Sequence, residues 1–156
     1  MRYGIQVNLH PMIDRCVMPL SGYPVPSTAY ERISNGAFVP PSSEWSVTGT
    51  SWSIEELNNA THNGSATDTL SQTLDNPLES ERFFRLTFDV TSASTEAYSL
   101  QFYQDATPVQ TVANQVLGVG SHSFSGIVSG AANIFIVTPQ GTGGGAQVFD
   151  NFSLLV

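Results

Sequence analysis

Along most of this chain apolar and polar residues alternate with a period of two, the pattern of strands that bury one face. The clearest run is 82–91, where Phe84, Leu86, Phe88 and Val90 share one side and Arg85, Thr87 and Asp89 the other. In the next run, 98–104, Tyr98, Leu100 and Phe102 point one way and Tyr103 the other. The same reading predicts strands over 45–48, 52–57, 60–62, 69–74, 109–116, 122–128, 133–138 and 147–156. Thr48-Gly49-Thr50 separates the first pair, Asn63-Gly64 gives a hairpin signal before 69–74, and Gly141-Thr-Gly-Gly-Gly145 reads as a hairpin end. Short strands at this spacing predict an all-β chain folded as an antiparallel β-sandwich of jelly-roll type. Ser53-Ile-Glu-Glu56 has the form of a helix capping box, but the alternation around it outweighs that signal.

The first 34 residues follow a different pattern. Tyr3, Ile5, Val7 and Leu9 alternate with Arg2, Gly4, Gln6 and Asn8. Pro11, Pro19, Pro24 and Pro26 then interrupt a stretch holding Met12, Ile13, Val17, Met18, Leu20 and Tyr23. Proline withdraws amide donors and favours extended backbone, which excludes a helix or a central strand. Disordered linkers are poor in such apolar residues. The chain therefore divides into an extended N-terminal arm, 1–34, and a sandwich body, 35–156. The arm is expected to lie along a surface, its own body's or a neighbouring subunit's. Arg2, Tyr3, Ile5, Val7, Leu9, Met12, Ile13, Val17, Leu20 and Tyr23 are its candidate assembly residues.

Composition narrows the function. The 156 residues carry a net charge of −8 with no lysine. The arm holds Arg2, Arg15 and Arg32 against Asp14 and Glu31, whereas the body holds only Arg82 and Arg85 against eleven acids. Phosphate binding needs clustered cations, so nucleic acid is excluded as a partner. No apolar run approaches the roughly 18 residues of a membrane span, and the N-terminus has no apolar signal region, so the chain is expected to be neither membrane-bound nor secreted. Cys16 is the single cysteine, which rules out an internal disulfide and suits a reducing cytoplasm.

Catalytic signatures are missing. His10, His62 and His122 lie far apart without metal-ligand spacing, and no nucleophile elbow or phosphate-binding glycine loop occurs. Glu55 and Glu56, adjacent on a predicted strand, point to opposite faces, which does not suit paired-carboxylate chemistry. The expectation is a chain that is not an enzyme. A binding surface would need exposed aromatic rings with amides at their edges, and Trp52, Tyr98 and Tyr103 are the candidates for glycan contact. Trp45 is expected in the core. In 147–156, Val148, Asp150, Phe152 and Leu154 fall on one face, which is expected to point inward. Asp150 would then need amide donors, an arginine or a metal.

Several pieces in order carry a resemblance: Asn35-Gly36-Ala37-Phe38, Trp45, Trp52-Ser-Ile54, Ala60-Thr-His62, Leu70-Ser-Gln72-Thr-Leu74, Phe84-Arg-Leu-Thr-Phe-Asp-Val90 and Phe149-Asp150-Asn151-Phe152. Residues 33–156 thereby resemble the carbohydrate-binding-module jelly roll of the family 4/9 type, in the version found in tailed-bacteriophage structural proteins. The resemblance implies a virion structural protein, a capsid decoration (cement) protein anchored through its arm. It would sit on the virion exterior after assembly in the host cytoplasm. Its partners would be the major capsid protein or other virion subunits, and it would form a homo-oligomer, with a trimer as the working expectation. The alternative it implies is a carbohydrate-binding module or tail accessory protein that holds a host glycan. No cofactor is expected beyond a structural calcium, which the family often binds through an acid at the place of Asp150. The family's acid after the Phe is Val39 here, and calcium's six to eight oxygens are not supplied by Asp150 alone.

Overall fold

Among the described residues ten strands form where the alternation runs: β1 (Trp45–Val47), β2 (Trp52–Glu55), β3 (Asn59–His62), β4 (Leu70–Leu78), β5 (Phe83–Ser92), β6 (Ala97–Gln104), β7 (Thr107–Val116), β8 (Gly120–Ile127), β9 (Ala132–Pro139) and β10 (Gln147–Leu155). The computed structural model describes residues 29–55, 58–64, 68–141 and 144–156. The arm residues Arg2, Tyr3, Ile5, Val7, Leu9, Met12, Ile13, Val17, Leu20 and Tyr23 lie outside the described residues. No helix occurs among the described residues, and Ser53 and Ile54 belong to strand β2.

The strands make two five-stranded antiparallel sheets, ordered β1-β4-β9-β6-β7 and β2-β3-β10-β5-β8. Their facing sides meet in one core, as in a sandwich. Phe84, Leu86, Phe88 and Val90 of β5 and Tyr98, Leu100 and Phe102 of β6 are buried, as their alternation requires. Phe152 sits at the centre, its ring 5.0 Å from that of Phe88 and 5.5 Å from those of Trp45 and Phe135.

Two connections differ from the sequence reading. Asn63-Gly64 does not close a hairpin between β3 and β4, because those strands lie in opposite sheets. The Asn63 amide instead donates to the Ser51 carbonyl at 2.7 Å, and the chain crosses the core edge. The glycine stretch before β10 is likewise a crossing from one sheet to the other. Gly144 packs so closely that a Cβ there would lie 2.8 Å from the Cβ of Glu96. Among the described strands, consecutive ones pair only in β2–β3 and β6–β7.

Strand β10 also departs from the expected face. Phe149, Phe152 and Leu154 are buried with Gln147, while Val148 and Asp150 are only partly covered. The register against β5 shifts between Asp150 and Ser153, and Asn151 adopts a left-handed φ of 54°. This bulge resets the alternation and turns Asp150 away from the core. Asn tolerates that conformation better than a branched residue would.

The sandwich reaches further towards the N-terminus than Asn35. Tyr30 and Val156 exchange backbone hydrogen bonds, Arg32 donates to Leu154, and Ile33 is buried. The Arg32 carbonyl accepts from Asp75 of β4, so residues 30–33 tie the two sheets together. Gly36 follows, and a Cβ there would meet the Phe152 carbonyl oxygen at 1.7 Å, so only glycine fits.

Candidate functional site

Strand register places two ranks of side chains on the outer face of the β1-β4-β9-β6-β7 sheet. One rank runs Ser71, Ile136, Gln101, Thr111, and the other Thr73, Ile134, Tyr103, Pro108. Tyr103, Ile134, Ile136 and Gln101 are half-buried among their neighbours. Tyr103 donates its hydroxyl hydrogen to Gln101 Oε1 at 3.4 Å, and Gln101 Nε2 donates to Thr111 Oγ1 at 3.1 Å. The result is an aromatic ring in register beside two isoleucines, edged by an amide and hydroxyls, with no charged residue in either rank. Such a surface can stack against the C–H face of a sugar and hydrogen-bond its hydroxyls.

The other two aromatic candidates are not on a surface. Tyr98 is fully buried and Trp52 is 4% exposed, so neither can contact a glycan as the chain is folded. Trp52 donates its indole N–H to the Asp68 carbonyl at 3.1 Å and packs against His62 and Phe149. The alternation that puts Tyr98 beside Leu100 and Phe102 already carried the signal for its burial. Trp45 lies in the core, as expected, with its indole donating to the Asn35 carbonyl.

Trp52 and Tyr98 instead belong to a buried polar cluster at one end of the sandwich. The Tyr98 hydroxyl is 2.9 Å from His62 Nδ1 and 3.5 Å from Glu96 Oε2, and His62 Nδ1 is 3.5 Å from that same carboxylate oxygen. Burial pushes the Tyr98 hydroxyl far above the ordinary tyrosine range, and the charge of Glu96 adds to it. Gln147 is fully buried, with its side-chain oxygen accepting from the Ser94 amide and its nitrogen donating to the Leu117 carbonyl. Nearby, Asp68 accepts from the Ser51 hydroxyl and from the amides of Ser51 and Thr50, and these bonds hold its carboxyl below the usual range. The sequence reading missed His62, Glu96 and Gln147. They lie on distant segments and match no spacing rule, and their buried polar atoms hold loops together.

The outer face of the second sheet has a different chemistry. Asp89 of β5 and Asp150 of β10 stand opposite each other in register. Asp89 accepts from Ser121 Oγ at 2.5 Å and from Asn151 Nδ2 at 2.9 Å, which keeps its carboxyl below the usual range. Asp150 is raised, first by partial burial and then by the charge of Asp89. Asp89 and Asn151, with Ser121 and Ser123, line a depression of about 400 Å³. No group of three or more His, Cys, Asp or Glu side chains placed to hold a metal ion occurs among the described residues.

Comparison with known proteins adds a fold likeness. No protein-family model matches the sequence, and no curated protein matches it. Among solved structures, a family 29 carbohydrate-binding module superposes with a TM-score of 0.55 at 12% identity, covering 83% of this chain and 92% of that one. The family 32 carbohydrate-binding module from C. perfringens NanJ, in complex with galactose, gives 0.53 at 11% identity over 81% of this chain and all of that one. The enzymatically active domain of bacteriophage CBA120 tailspike protein 4 gives 0.51 at 18% identity over 81% of this chain, which spans only 21% of that one. At these identities the likeness is one of fold.

Proposed function

We propose that this protein is a carbohydrate-binding module that holds a glycan on the outer face of its β1-β4-β9-β6-β7 sheet. The observation that carries the reading is the uncharged Tyr103 platform, set in register beside Gln101, Ile134 and Ile136. The recurrence of carbohydrate-binding modules among proteins of the same fold supports it. The mechanism is stacking on Tyr103 with hydrogen bonds from Gln101 and the flanking hydroxyls, and it requires no catalytic group. Affinity electrophoresis in soluble polysaccharides tests it: a glycan that retards the wild type should retard Tyr103→Ala far less.

A second reading is a bacteriophage virion component, held to the capsid or tail through its N-terminal arm. The tailspike of the same fold favours this reading. Residues 30–33 are tied into the sandwich, so the test removes only 1–28. On this reading the shortened protein stays folded but no longer joins the particle; if it still assembles, the reading fails.

A further inference from the structure

Strand β8 is the outermost strand of its sheet, and no described strand pairs with its far side. Its eight residues pair with β5 in unbroken register, from Phe83 opposite Ile127 to Val90 opposite Gly120. It contains no proline, no charged residue and no bulge, the usual devices that keep an edge from accepting another strand. The other edges differ. β1 and β2 are only three and four residues long, and β7 carries Pro108 and two register shifts. His122 and Phe124 on the core-facing side of β8 are only half-buried, stacked on Phe88 at 5.2 and 6.0 Å, and Ile127 is 62% exposed. The β5 side chains behind this edge are buried, so what it leaves partly exposed is His122 and Phe124.

We infer that residues 2–9 of the same chain add to β8 as a further strand. The segment matches the edge in alternation and is long enough to run along it to Ile127, whose carbonyl accepts from Gln110 Nε2 at 3.1 Å. Tyr3, Ile5, Val7 and Leu9 would cover His122 and Phe124, while Arg2 would bring a cation to the outer face that carries Asp89 and Asp150. Reach favours the chain's own segment over a second copy. Residues 30–32 lie beside β10, four strand spacings from the position beyond β8, on the order of 20 Å. The stretch of residues 10–29 reaches about 65 Å when fully extended, more than enough to bridge that distance, and a tethered segment acts at a high effective concentration. The binding mode is β-strand addition, in which main-chain bonds give affinity and the alternating apolar side chains set register.

Hydrogen exchange of the full-length chain tests this, comparing wild type with Ile5→Asp/Val7→Asp. The β8 amides should exchange at least about tenfold faster in the variant, with β5 nearly unchanged and the melting temperature lower by only a few degrees. Equal β8 exchange in the two proteins overturns the inference. In a Cys16→Ser background, Gln6→Cys is then paired in turn with cysteine at Ser121, Ser123 or Ser125. An intrachain disulfide in at least one pairing is the expected result; only disulfide-linked dimers, or none, overturn the assignment to the chain's own segment.

Discussion

The two outer faces of the sandwich share one core yet present opposite chemistry. On one, Tyr103, Ile134, Ile136 and Gln101 form an uncharged, half-buried platform. On the other, Asp89 and Asp150 oppose each other among serines and Asn151. Both faces alternate with buried aromatics, so the core places no demand on their polarity. A carboxylate pair suits a solvated face, whereas partly covered apolar side chains beside a tyrosine leave room for stacking contacts. The difference is why the glycan proposal rests on the first face and not on the second.

Substitutions can break that contrast, and the largest effect is expected between the faces. Trp52→Ala empties a core position and unpairs the Asp68 carbonyl, so it should cost about 3–5 kcal/mol in denaturant unfolding. A loss of binding with unchanged stability would instead return Trp52 to a surface role. Asn151→Val puts a branched residue at a φ of 54° and removes a bond to Asp89. About 2 kcal/mol of destabilisation is expected, read by the same measurement. Tyr103→Ala should weaken glycan binding by about tenfold or more while shifting stability by no more than about 1 kcal/mol.

The smallest effect concerns Asp150. Its folded carboxyl is raised, so its ionisation weakens the folded state as pH rises through the carboxylate range. Asp150→Asn should therefore raise the melting temperature at pH 7. That gain should vanish below about pH 3, where the carboxyl is protonated whether folded or not. Asp89, which is lowered, has the opposite sign: its stabilising contribution is present at neutral pH and is lost as pH falls through its folded value. Asp89→Asn should accordingly lower the melting temperature at pH 7.

The strands were legible because a half-buried strand writes its period into the residues, as Phe84 to Val90 show. Which sheet each strand joins was not, since Asn63-Gly64 turns the chain equally well into a hairpin or across the core. The β10 bulge had a readable sign: Phe149 and Phe152 are three apart and cannot both face inward along a regular strand. Tyr103 was legible from its alternation with Phe102, but its partners Ile134 and Ile136 depend on cross-strand register. His62, Glu96 and Tyr98 meet only because the fold gathers segments far apart in sequence.

The most direct test of the glycan platform is an amide NMR titration of the full-length protein with the polysaccharide that retards it most. Shifts clustered on Ser71, Thr73, Gln101, Tyr103, Ile134 and Ile136, with β5 and β8 unmoved, are the predicted result. Shifts centred on Asp89, Ser121 and Asn151, with the Tyr103 strands silent, would contradict it.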